Sequence, residues 1–255
     1  MPLEIVTIPC RTDNYAFLLH SDETGETAVI DVPEAPPILA ELNRRNWQLS
    51  EIWLTHHHFD HVDGTAELKD ATGARVIGAS ADADRLPPLN LAMDDNGTFQ
   101  FAGSDVRVLD VSGHTVGHIA FYVADIPALF SGDSLMALGC GRIFEGTPEQ
   151  MWNSLSKLAA LPGDTIVCSG HEYSASNAKF AATIEKDNPR LAARIQAITD
   201  ARAANQATVP TLLSEENATN PFLRANLPAL KAAVGMENAS DAEVFGEIRA
   251  RKDAF

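Results

Sequence analysis

Short apolar runs rich in β-branched and aromatic residues recur through the first two thirds of the chain, spaced by segments of helical periodicity. Runs at 3–8, 15–20, 27–31, 51–55, 75–78, 105–111, 118–124, 127–132 and 164–170 predict strands. Helices are predicted at 35–46, about 64–72, and 148–160, the last opened by Pro148 after Thr147. After His171 the pattern changes. From Ser174 onward there is almost no strand signal, and Ala-rich helical segments occupy 174–186, 190–204, 226–234 and 240–252. Prolines at 189, 210, 221 and 228 mark their joints. The expected organisation is a mixed α/β domain over residues 1–173 and a helical domain over 174–255, with no internal repeat.

Composition narrows the function classes. A chain of 255 residues with 45% hydrophobic and 21% charged residues can build a sizeable core. Its formal net charge of -16 repels phosphate backbones and acidic lipid surfaces, so neither nucleic acid nor membrane is an expected partner. The three cysteines, Cys10, Cys140 and Cys168, are widely spaced and form no CxxC, which argues against a disulfide framework or a thiolate zinc site. The first residues lack the basic start and apolar stretch of a leader, and no apolar run is long enough to span a bilayer. The expected compartment is the cytoplasm.

The strongest chemical signal is Thr55-His56-His57-His58-Phe59-Asp60-His61, directly after the apolar run Ile52-Trp53-Leu54. Sheets of α/β proteins place their chemistry at the C-terminal ends of strands. In an extended segment alternate residues share a face, so His56 and His58 can chelate one ion together. Asp60 and His61 turn toward a second ion, while His57 falls on the opposite face. Three further candidates also follow strands, each preceded by Ser-Gly: His114, Asp133 and His171. Glycine there permits a sharp turn and a close backbone approach. Each of the three taken alone is more economically structural; beside the first cluster they complete a set of five histidines and two aspartates. His56, His58 and His114 make one site, and Asp60, His61 and His171 the other. Asp133 can bridge them. Imidazole with carboxylate suits zinc, iron or manganese. The expected cofactor is two divalent ions per chain, zinc first. His118 is assigned a hydrogen-bonding role behind the ligands, and His20 a structural one.

THHHFDH resembles the T-H-x-H-x-D-H signature of the metallo-β-lactamase superfamily, and the later Gly-His, Gly-Asp and Gly-His follow its order. The fold this implies is α/β, a four-layer αββα sandwich, here with a C-terminal helical domain. Asp13-Asn14-Tyr15 also looks like the superfamily's start. Within it, Gly139-Cys140-Gly141-Arg142-Ile143-Phe144-Glu145-Gly146-Thr147, Gly170-His171-Glu172-Tyr173, Asn220-Pro221-Phe222-Leu223-Arg224 and Arg249-Ala250-Arg251-Lys252-Asp253 resemble glyoxalase II, the hydroxyacylglutathione hydrolases, nearly end to end.

That resemblance implies a catalytic domain followed by a substrate-binding domain. Its reaction is hydrolysis of S-D-lactoylglutathione to glutathione and D-lactate by a metal-bridging hydroxide, with Asp60 and Asp133 catalytic, in methylglyoxal detoxification. It also implies glutathione contacts from Arg142, Tyr173, Arg249 and Lys252. Arg142 stands where lysine is frequent. Phe144, the remaining expected contact, stands where some members have tyrosine, and Val116 where proline is common. Arg249 and Lys252 are three apart on a predicted helix and so share a face, suited to a carboxylate of the tripeptide. The partner expected is this small-molecule thioester, and the chain is expected to act as a monomer. Competing readings are a persulfide dioxygenase on the same fold, a β-lactamase, a metal-dependent nuclease and a non-catalytic metal-binding module.

Overall fold

The apolar runs along the chain form strands buried on both faces, as in β-strands Asn14–Ser21, Ile119–Val123 and Ala128–Gly132. A computed structural model describes residues 3–255, and clusters them into two compact units. The first holds residues up to Val111 and Gly117–Gly132, the second Ser112–Val116 and Asp133–Phe255.

In the first unit the order is β1 (Leu3–Cys10), β2 (Asn14–Ser21), β3 (Glu26–Ile30), α1 (Ala35–Arg45), β4 (Gln48–Trp53), α2 (Phe59–Val62), α3 (Thr65–Thr72), β5 (Arg75–Ala79), β6 (Leu91–Met93), β7 (Thr98–Phe101), β8 (Ser104–Asp110), β9 (Ile119–Val123) and β10 (Ala128–Gly132). One sheet runs β1 to β6, antiparallel across β1–β2–β3 and parallel from β3 to β6. A second runs antiparallel through β7, β8, β9 and β10.

Helices α1 and α3 cover one face of the first sheet, where Ile38, Leu42 and Leu68 pack with Leu18, Val29, Ile52 and Val76. An irregularity in the β3–β4 ladder skips Ser50, since Thr27 pairs with Leu49 but Ala28 with Glu51. The extra residue lets both Leu49 and Ile52 face the helices. Trp53 points the other way and is fully buried between the sheets, its ring 5.1 Å from Phe99, 5.3 Å from Phe101 and 5.3 Å from Phe121. Truncating such a residue to alanine costs about 3–5 kcal/mol. This aromatic centre fixes the end of β4, where the histidine run begins.

The second unit contains β11 (Leu135–Met136), β12 (Gly139–Cys140), α4 (Pro148–Ala159), β13 (Ile166–Ser169), α5 (Ser174–Ile184), α6 (Pro189–Ala203), β14 (Thr211–Leu212), α7 (Leu213–Thr219), α8 (Pro228–Val234) and α9 (Asp241–Asp253). Capping boxes start α4 (Thr147 with Gln150) and α9 (Ser240 with Glu243). Buried Glu216 ties the unit together. It accepts from Leu138 N at 2.9 Å, Thr211 Oγ1 at 2.8 Å and Asn220 Nδ2 at 3.1 Å, and pairs with buried Arg194.

Three differences from the sequence expectation have local causes. β7 and β8 form a hairpin closed by Ala102 and Gly103, both at positive φ, as a two-residue turn of the primed type requires. The four residues of β7 and three of β6 are too short to show a periodicity. Strand pairing also continues past Ser174, because β14 pairs antiparallel with β13 through Thr211 and Leu212. Among the described residues no helix is long and apolar enough to cross a membrane.

Candidate metal centre

In the first unit, the residues after β4 are held by a carboxylate at the end of the neighbouring β3. Asp31 follows that strand at φ 58, a conformation that aspartate tolerates better than most residues. Its Oδ1 accepts from Thr55 N at 2.8 Å, and its Oδ2 accepts from Thr55 Oγ1 at 2.8 Å. Oδ2 also lies 2.7 Å from His61 Nδ1. A carboxylate only accepts, so His61 carries its hydrogen on Nδ1 and presents a lone pair on Nε2. The Thr55 hydroxyl hydrogen goes to Asp31, so its oxygen accepts from His56 Nδ1 at 3.0 Å. That sets His56 in the same tautomer. Its Nε2 lies 3.1 Å from His58 Nδ1.

Asp31, His56 and His61 form one cluster of metal-type donors, all buried. Asp31 already serves three donors and orients the two imidazoles, a role the sequence reading did not assign. Its signal was an aspartate closing the predicted strand 27–31. Asn14 does the same for Asp60: Nδ2 donates to Asp60 Oδ2 at 3.1 Å and to Asp60 O at 3.0 Å. His118 is buried, stacks on His56 with centroids 4.5 Å apart, and contacts Ile119 O through Nδ1 at 3.1 Å. Its ring thus packs on His56. Gly132 packs against this group at φ 49, where a Cβ would lie 2.5 Å from Thr55 Oγ1. His20 stacks on Trp47 and is structural.

In the second unit, His114, Asp133 and His171 meet. His114 Nδ1 lies 2.7 Å from Arg142 O, which can only accept, so Nε2 presents its lone pair. Asp133 Oδ2 lies 3.5 Å from His114 Nε2 and 3.4 Å from His171 Nε2. One carboxylate oxygen thus stands between two imidazole nitrogens. The backbone at 141 must be glycine, because a Cβ there would lie 2.1 Å from Asp133 O. His171 stacks on Tyr173 with centroids 4.6 Å apart, and Phe144 meets His114 edge-on at 5.3 Å.

The donor spacings fit metal ions. Two ligands each about 2.0–2.2 Å from one ion at a tetrahedral angle lie roughly 3.3–3.6 Å apart. The His56–His58, His114–Asp133 and His171–Asp133 separations of 3.1, 3.5 and 3.4 Å fall at or near that range.

The expected substrate contacts lie in the second unit. Arg142 Nε donates to Asp253 Oδ1 at 3.2 Å, and Arg249 Nη2 donates to the same oxygen at 3.0 Å. Arg249 is buried, with Nη1 bound to Cys140 O at 3.0 Å, so it props the Cys140–Arg142 turn and is not an exposed cation. Lys252 Nζ reaches Ser176 Oγ at 3.3 Å. Burial and then the nearby Arg249 charge hold Lys252 below the ordinary lysine pKa. Phe144 is exposed and Tyr173 partly so. All three cysteines are buried, and burial pushes Cys10 up to about 12 and Cys140 up to about 11. None is suited to act as a thiolate nucleophile.

Residues 172–255 match the family model described as hydroxyacylglutathione hydrolase C-terminus, and residues 13–171 match that of the metallo-beta-lactamase superfamily. A hydroxyacylglutathione hydrolase from Cereibacter sphaeroides is 62% identical over 255 residues, covering 100% of both chains. Among solved structures, the BLEG-1 B3 metallo-beta-lactamase aligns with TM-score 0.67 at 22% identity, over 86% of this chain and 99% of that one. This likeness shows the metallo-β-lactamase fold, the α/β class of the αββα sandwich. TTHA1623, solved in a di-iron-bound form, aligns with TM-score 0.61 at 25% identity, over 86% of this chain and 100% of its own.

Proposed function

The chain belongs to the hydroxyacylglutathione hydrolase family of the metallo-β-lactamase superfamily, and on that premise we propose that it hydrolyses S-(2-hydroxyacyl)glutathione thioesters. S-D-lactoylglutathione is the expected substrate, yielding glutathione and D-lactate in methylglyoxal detoxification. The observation that carries the reading is the single Asp133 oxygen standing 3.4–3.5 Å from the Nε2 atoms of both His114 and His171. A carboxylate so placed suits a bridge between two cations. His56, His58 and His114 would hold one ion, and Asp60, His61 and His171 the other, with Asp133 shared. Zinc is the first expectation, with iron or manganese as alternatives.

Bound there, divalent ions would supply an acidified water as nucleophile and an electrophile for the thioester carbonyl. The protein's part is to hold donors in the right protonation state. Asp31 and Thr55 fix the hydrogens of His61 and His56 on Nδ1. Asn14 holds Asp60 through one carboxylate oxygen and the backbone carbonyl, and Asp60 would help orient the attacking water while binding an ion. Water oxygen adds to the carbonyl carbon, the carbon–sulfur bond breaks, and the proton ends on the thiolate. A thiol pKa of about 8.5 lets the sulfur leave without a strong general acid.

Arg142, Phe144, Tyr173, Arg249 and Lys252 are assigned to the glutathione moiety, with Arg142 and Lys252 to counter its carboxylates and buried Arg249 to brace the Arg142 turn. The chain is proposed to work as a monomer in the cytoplasm. Hydrolysis of S-D-lactoylglutathione, followed by loss of thioester absorbance, should exceed that of a lactoyl thioester of a short thiol lacking the tripeptide by at least about 100-fold in kcat/KM. Equal rates on both would refute the glutathione assignment. Oxygen uptake on glutathione persulfide without thioester hydrolysis would refute the reaction class.

A further inference from the structure

His57 is the histidine of the 56–58 run to which the proposed centre gives no task. Its Nδ1 lies 2.9 Å from Asp82 Oδ2, and Arg85 Nη1 lies 3.4 Å from its Nε2. A guanidinium only donates, so Nε2 accepts and the hydrogen on Nδ1 points at Asp82. The Asp82 side chain is completely buried. Its Oδ1 accepts from Arg85 Nε at 3.0 Å and makes a second, closer contact with Nη2.

The same carboxylate presses on a second segment. A Cβ at position 117 would lie 2.1 Å from Asp82 Cγ, so the backbone passes there only because residue 117 is glycine. The next residue is His118, whose ring stacks on His56 at 4.5 Å with planes 13° apart. Asp82 therefore bears on His56 from both sides: through His57 on the turn that carries His56 and His58, and through Gly117 on the segment that carries His118. A surface pair between Asp82 and Arg85 would need neither a buried carboxylate nor a glycine at 117. Burying a carboxylate is costly unless its acceptors are filled, and here they are filled by Arg85 and by the ligand turn.

We infer that Asp82 is a positioning residue for the metal centre, fixing His56 and His58 through its hold on His57 and its close packing on Gly117. The inference rests on the metal reading given above. Zinc affinity of the full chain, measured by competition with a chromogenic chelator, tests it at a temperature where each metal-free variant is folded by circular dichroism. His57→Leu removes the donor to Asp82, and Gly117→Ala forces Asp82 aside. Each should weaken the tighter of the measured affinities by 10–100-fold, the usual effect of removing a partner behind a ligand. His57→Asn places an amide N–H near the former Nδ1 and should stay within about threefold of wild type.

Wild-type affinity in folded His57→Leu or Gly117→Ala would overturn the inference. An equal loss in His57→Asn and His57→Leu would also overturn it, because the hydrogen bond would then not be what matters. A wild-type chain that binds no zinc, iron or manganese would overturn both this inference and the proposed centre. A metal-replete wild type with unaffected variants would overturn this inference alone.

Discussion

Replacing Asp31 by asparagine changes few atoms and should disable a tautomer. The amide keeps the volume of the carboxylate, and asparagine tolerates the positive φ of 58 seen at this position. It offers one acceptor oxygen where the carboxylate serves Thr55 N, Thr55 Oγ1 and His61 Nδ1 at 2.8, 2.8 and 2.7 Å. With the oxygen kept on Thr55 N, the amide nitrogen faces His61 Nδ1 as a donor. His61 then accepts on Nδ1 and must carry its hydrogen on Nε2, the atom it would offer a metal. Hydrogen bonds to a charged group contribute about 1.5–3 kcal/mol each, so losing one or two costs roughly 2–5 kcal/mol of stability. The affinity for the ion assigned to Asp60, His61 and His171 should fall 10–100-fold. Urea unfolding of the metal-free proteins reads the first quantity, and chelator competition the second. An Asp31→Asn protein that unfolds at the wild-type urea concentration and binds both ions with wild-type affinity would refute the account of how His61 is oriented.

Other perturbations probe separate parts of the site. Asp133→Ala removes the oxygen placed between His114 and His171, so metal content and thioester hydrolysis should fall together, activity by at least about 100-fold; full metal content with full activity would remove Asp133 from the centre. Phe144→Tyr should lower KM for S-D-lactoylglutathione about fivefold, the yield of one added hydrogen bond of roughly 1 kcal/mol, with kcat unchanged; an unmoved KM would place residue 144 away from the tripeptide. Lys252 is held below its ordinary pKa of 10.5, so it loses its charge at lower pH than a surface lysine. KM should therefore climb as pH rises through that lowered value, and Lys252→Arg, which stays charged, should flatten the climb. A wild-type KM constant up to pH 10.5 would argue against an ionic role for Lys252.

The sequence was most legible where local pattern and chemistry coincide. Trp53 stands in the apolar run Ile52-Trp53-Leu54 and is fully buried, and the histidine run begins three residues later. Asp133, His171 and His114 each lie a few residues beyond a strand end, following β10, β13 and β8. Partners that act through the fold were not legible. Asp31, Asn14 and Asp82 lie 30, 46 and 25 residues from the groups they hold, and the sequence does not show which groups those are. The stacking of His118 on His56 also follows from the fold, through the approach of β9 to Thr55. The charge on Arg249 read as a face for substrate carboxylates, but burial against Phe222 and the Cys140 carbonyl makes it a prop for the Arg142 turn as well. Short pieces such as β6, β11, β12 and β14 have two or three residues, too few for alternation to show.

If these histidines and aspartates hold two divalent ions, the chain should hydrolyse a glutathione thioester only when they are loaded. Titrating zinc into the metal-free chain while following S-D-lactoylglutathione hydrolysis tests it most directly. No turnover is expected without metal, and activity should rise to a plateau at about two ions per chain and be abolished again by a chelator. Turnover that persists in the metal-free protein, or a chain that binds two ions yet leaves the thioester intact, would contradict it.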